Sequence, residues 1–144
     1  MGIPYLHIAD CTAKAIKDKG LKRVGLLGTE PTMRESYLKE RLAMHGIETL
    51  VPDNDQDLSQ IFQFIMHELG FGVFKPETLA FFKDQVAKLV AQGAEGVILG
   101  CTEIELLIKQ EHCPGVPLFA SAELHMDAAA KVVAGAAQLS SYAP

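Results

Sequence analysis

Apolar residues in this chain fall into short uninterrupted runs instead of strict alternation, and stretches with helical periodicity separate the runs. The runs predict strands at Ile3 to Ile8, Arg23 to Leu27, Glu48 to Val51, Gly96 to Leu99 and Pro117 to Phe119. Continuous apolar strands suit a parallel sheet covered on both faces, where neither side meets water. Between them, Thr12 to Lys19 reads as a helix capped by Asp10 and stopped at Gly20, and Thr32 to His45 as another that stops at Gly46. A long helical insertion separates the third and fourth strands. It runs from Asp57 through Leu69 and again from Pro76 through Gln92, with Gly70-Phe71-Gly72 as the break and Pro76 at a position that needs no N–H donor. Val86, Leu89 and Val90 share one face of its second helix and are expected on the sheet. A final helix spans Glu123 to Gln138, with Leu124, Ala128, Val132 and Ala136 on its apolar face. Strands alternating with helices predict a three-layer α/β/α fold with a mostly parallel central sheet of four to five strands and right-handed crossovers.

Composition narrows what such a fold can do. The 144 residues suit a single α/β domain, and 49% hydrophobic with 22% charged residues is a globular balance. A net charge of −5 without a run of Lys or Arg argues against a nucleic-acid surface. Cys11, Cys101 and Cys113 are odd in number and lack CxxC spacing, so neither a disulfide framework nor a metal site is indicated, and a reducing cytoplasm is the expected compartment. No apolar run reaches membrane-spanning length, so a soluble chain without membrane contact is expected.

In parallel sheets ligands bind beyond the carboxyl ends of the strands. Three polar segments converge there: Leu27-Gly28-Thr29 with Thr32, Gly100-Cys101-Thr102-Glu103, and Ala120-Ser121-Ala122-Glu123. Cys101 ends a buried strand and starts a helix, where backbone N–H groups and the helix dipole favour a thiolate nucleophile or base; a small buried filler would occupy the same place. Glu103 is positioned for proton traffic or for a substrate amine, although first-turn acidic residues also suit the dipole, a reading that applies more strongly to Glu105. Thr29 and Thr32 either cradle a carboxylate through hydroxyls and amides or cap the helix. The turn lacks the glycine spacing of a nucleotide site. His125 reads as a structural or solvent-facing histidine. Asp10-Cys11-Thr12 echoes Gly100-Cys101-Thr102, which raises a pairing of two thiols, but an echo this short arises readily by chance.

Leu6-His7-Ile8-Ala9-Asp10, Val24-Gly25-Leu26-Leu27-Gly28-Thr29 with Thr32-Met33, and above all Gly93 through Ile104 resemble the aspartate/glutamate racemases, the cofactor-independent amino-acid racemases. The resemblance implies two similar α/β domains facing each other across a cleft, one catalytic cysteine from each, and inversion of the α-carbon by proton removal on one face and return on the other. It implies Cys101 as the second-domain cysteine with Glu103 beside it, Thr29, Thr32 and Thr102 as substrate-side residues, no cofactor, and a small amino acid of the aspartate or glutamate class as substrate. Cys11 falls where the family has an ordinary helix residue. The family's first cysteine, in a Cys-Asn-Thr type motif, lies ahead of the segment matched by Ile3. The expectation is therefore a chain resembling the second domain, catalytically incomplete by itself, whose residues 121–144 would pack on a first domain and whose apolar face favours a homodimer or swapped oligomer. A non-catalytic carboxylate-binding or oligomerisation module is the alternative. Glu30 stands where the family usually has arginine, and Ala120-Ser121 where relatives often have Asp-Thr.

Overall fold

The computed structural model describes residues 3–144. Its helices are α1 (Ile8–Asp18), α2 (Glu30–Arg34), α3 (Tyr37–Ala43), α4 (Asp55–His67), α5 (Pro76–Ala91), α6 (Thr102–Leu107) and α7 (Ser121–Val133). Four strands, β1 (Arg23–Leu27), β2 (Glu48–Leu50), β3 (Val97–Leu99) and β4 (Leu118–Ala120), form one parallel sheet in the spatial order β2-β1-β3-β4. Leu26 lies opposite Ile98 and Ile98 opposite Phe119, so the middle of the sheet is apolar.

Successive side chains of a strand point to opposite faces, and that sorts the core into two layers. Leu27, Val97 and Leu99 pack with Ile61, Phe82, Leu89 and Ile104 from α4, α5 and α6. Val24, Leu26, Ile98 and Phe119 pack with Ala13, Ile16 and Leu42 from α1 and α3, with Leu124 of α7 against them. This is the three-layer α/β/α arrangement expected from the sequence. Helix α5 approaches β1 so closely that a Cβ at Gly25 would lie 2.7 Å from Leu89 Cδ1.

Several boundaries differ from expectation, each for a local reason. Ile3 to Ile8 is not a strand: nothing among the described residues pairs with it, and α1 already begins at Ile8. The α1 cap is His7, whose Nδ1 accepts the Ala9 N–H at 3.0 Å. Asp10, expected as a cap, is instead a buried first-turn residue. Its carboxylate accepts Arg41 Nε at 2.8 Å, Arg41 Nη2 at 2.6 Å and His45 Nε2 at 2.8 Å, which ties α1 to α3 and the turn after it. The helix expected over Thr32 to His45 is two helices, because Glu35 adopts extended backbone. Val86 and Leu89 are buried as expected, but Val90 is 38% exposed.

The last helix starts earlier and stops sooner than its apolar pattern suggests. Gly135 takes φ 73°, and the Ala136 N–H turns back to the Lys131 carbonyl, a left-handed ending that leaves Ala136 outside the helix. The apolar face of α7 lies mainly against α1: Ala128 is buried with Cys11 and Tyr142, and Val132 and Leu6 pack around them. No helix among the described residues is long and apolar enough to cross a membrane.

Candidate active site

The carboxyl ends of β1, β3 and β4 bring the three expected segments together. The Gly100 N–H donates to the Leu27 carbonyl at 2.7 Å, and Ser121 Oγ donates to the Leu99 carbonyl at 2.9 Å. Gly28 and Gly100 permit this closeness: a Cβ at Gly28 would meet Thr32 Cγ2 at 3.0 Å, and one at Gly100 would meet the Leu27 carbonyl at 3.1 Å. On α6, Glu105 accepts the Ala122 N–H at 2.8 Å, so the start of α7 is tied to the helix that carries the cysteine motif. Burial raises the Glu105 carboxyl despite that bond. Its structural reading fits this geometry.

Cys101 stands at the N-cap of α6 in extended backbone and is half-buried. Its thiol donates to Glu103 Oε2 at 2.9 Å, and the Thr102 hydroxyl donates to the same oxygen at 2.8 Å. Burial, reinforced by the Glu103 carboxylate, pushes the Cys101 thiol up to about 11, although backbone N–H groups of α6 pull the other way. The expected thiolate-favouring effect of the helix start is therefore present but outweighed, and the resting sulfur is a thiol. Glu103 is displaced in the opposite direction: hydrogen bonds from Cys101 and Thr102 hold its carboxyl below the usual value. The pair is polarised, with the proton on sulfur and the charge on oxygen.

Thr29 and Thr32 join through their hydroxyls at 2.9 Å. Thr29 occupies the N-cap of α2 yet makes no side-chain cap hydrogen bond, so the capping explanation for it does not hold. Thr32 lines a cavity of about 220 Å³, together with Gly100 and Ser121. Cys101, Thr102 and Glu103 follow Gly100 directly in sequence and lie outside the cavity lining.

His7, Thr12 and Tyr37 also line this cavity, and none of them was singled out as a site residue from the sequence. The signal for His7 was hidden because Leu6-His7-Ile8 reads as part of an apolar strand. Since His7 Nδ1 accepts a backbone N–H, its ring proton is on Nε2. Burial lowers its pKa, so the ring is neutral near neutral pH. His125 is structural, its Nε2 donating to the Leu6 carbonyl at 3.0 Å. Cys11 is buried beside Ala128 and Tyr142, its thiol pushed up to about 11 by burial, and Cys113 is buried in the core beside α5 and α6. Cys11 therefore packs in a different cluster from Cys101. Among the described residues no cluster of three or more His, Cys, Asp or Glu side chains is placed to hold a metal.

A family model described as Asp/Glu/Hydantoin racemase matches residues 1–129. A protein from the pnlA 3' region of Pectobacterium carotovorum subsp. carotovorum is 35% identical over 107 residues, covering 74% of this chain and 69% of that protein. Among solved structures, a protein assigned as an Asp/Glu racemase from Yersinia pestis is 40% identical with a TM-score of 0.85, covering 92% of this chain and 57% of its own. An aspartate racemase homologue from Pyrococcus horikoshii OT3 is 35% identical with a TM-score of 0.84, covering 93% of this chain and 58% of its own. The present chain thus spans a little over half the length of these two solved relatives.

Proposed function

Given that this chain belongs to the Asp/Glu/hydantoin racemase family, we propose that it is an amino-acid racemase domain in which Cys101 carries the α-proton on one face of the substrate without a cofactor. The observation that supports this most directly is the Cys101–Glu103 hydrogen bond at the carboxyl end of β3, beside the Thr29–Thr32 pair. Threonine hydroxyls at positions 29, 32 and 102 hold the α-carboxylate, and Glu103 receives the substrate ammonium. An ammonium at Glu103 competes for the oxygen that now accepts the thiol proton, and its positive charge offsets the field that keeps the sulfur protonated. The half-buried thiol then releases its proton to solvent water, and the thiolate takes the Cα proton while the electron pair remains on carbon as a resonance-stabilised carbanion. Returning that proton to the same face restores the starting enantiomer. Inversion needs a donor on the opposite face.

No second thiol supports that role from within the described residues, since Cys11 and Cys113 are both buried elsewhere. The domain alone is accordingly a one-sided site, completed by a partner domain or second subunit. Chiral chromatography of aspartate, glutamate and neutral amino acids incubated with purified chain tests this. The expected result is no inversion at an enzymatic rate; rapid inversion abolished by Cys101→Ala would overturn the one-sided account.

A further inference from the structure

The cavity beside Gly100 is walled mainly by Ile8, Ala9, Leu38, Leu42 and Ile98. No lysine or arginine lines it. The two arginines on the neighbouring helices are both committed elsewhere: Arg34 binds Glu30 at 2.7 Å and Asp55 at 2.8 Å, and Arg41 binds the buried Asp10. Of the hydroxyl residues in the lining, Thr12 donates to the Ile8 carbonyl at 2.9 Å and Ser121 to the Leu99 carbonyl, Thr32 pairs with Thr29 in the group assigned to the α-carboxylate, and Tyr37 adds a phenol. His7 is the one basic side chain in the wall, and its neutral ring offers a single N–H. A side-chain carboxylate set against these walls finds the His7 N–H and the Tyr37 hydroxyl but no lysine or arginine among the lining residues, so its desolvation is only partly offset. An aliphatic or thioether side chain meets the opposite conditions. Since a dry apolar cavity of about 150 Å³ accommodates benzene, a space of about 220 Å³ has room for a four-carbon side chain.

We propose that this cavity receives the side chain of a neutral, apolar amino acid, so that the site takes substrates of the leucine or methionine type ahead of aspartate and glutamate. The inference rests on the reading of Cys101 as the proton carrier only in placing the α-carbon beside Gly100; the cavity's preference is separately measurable. Methyl-labelled chain titrated with leucine, methionine, aspartate and glutamate, followed by NMR, provides the test. Leucine and methionine are expected to shift the Ile98, Leu38 and Thr32 methyl signals with a Kd about tenfold or more below that of either acidic amino acid. A Leu38→Arg variant, confirmed as folded by circular dichroism, is expected to reverse the order. If that variant unfolds, the wild-type order decides alone. Equal or tighter binding of aspartate or glutamate at these methyls would overturn the proposal, as would the absence of any shift. Leucine binding without Cα–H exchange would leave this inference standing and remove the racemase chemistry. Exchange of aspartate with tighter binding at the cavity would do the reverse.

Discussion

The resting protonation state of Cys101 has a direct kinetic consequence. Thiol–disulfide exchange proceeds through the thiolate, so its rate follows the thiolate fraction. With the thiol pushed up to about 11, roughly one molecule in a thousand is ionised near pH 8, against about one in ten for a thiol at 9.0. A more basic thiolate is also intrinsically more nucleophilic, which returns a factor of about six to ten for that shift. The net expectation is exchange with a small disulfide reagent about tenfold slower than for an unstructured cysteine peptide, before any steric effect. The rate should keep rising as pH is raised toward 11. Peptide mass spectrometry separates Cys101 from the fully buried Cys11 and Cys113. Glu103→Gln is expected to move the midpoint down only part of the way, because burial comes first among the causes and the carboxylate second. A midpoint at or below 9.0 for the wild-type thiol, or faster reaction than the peptide, would refute this reasoning.

Asp10→Asn removes the carboxylate that pairs with Arg41 and His45 in the α1–α3 joint and is expected to cost about 2–4 kcal/mol in urea unfolding. Burial alone would push the Asp10 carboxyl up, but the Arg41 and His45 hydrogen bonds overcome it and hold it below its ordinary value of 3.8. Its stabilisation is therefore complete above that value and lost as pH falls through the depressed one, and wild type and variant should converge in acid; a pH-independent gap would contradict this. Gly25→Ala drives a methyl into the fully buried Leu89 and is expected to lower stability by about 1–3 kcal/mol, measurable by thermal unfolding, with an unchanged melting temperature as the contrary result.

The layers of this fold were legible because buried parallel strands declare themselves as continuous apolar runs, and Arg23–Leu27 and Val97–Leu99 do so without ambiguity. Ile3 to Ile8 has the same character, yet a strand exists only where a neighbour completes its hydrogen-bond ladder, and pattern alone cannot supply the neighbour. The meeting of Thr32, Gly100 and Ser121 at one sheet edge followed from topology, and their segments were identifiable in advance. What sequence could not convey was the balance of opposing effects on one atom. A helix start favours a thiolate, but the depth of Cys101 and the exact reach of Glu103 decide the matter, and both depend on packing. His7 was missed for a related reason, since histidine is not a preferred cap and its role depends on the turn that Ile8 begins.

The central claim is that Cys101 moves a proton to and from one face of an amino-acid α-carbon. Its most direct test is Cα–H exchange in deuterium oxide, followed by proton NMR on leucine, methionine, aspartate and glutamate with the purified chain. Incorporation of deuterium with retained configuration, abolished in Cys101→Ala, is the expected result; exchange no faster than the buffer blank, or exchange undiminished in Cys101→Ala, would contradict it.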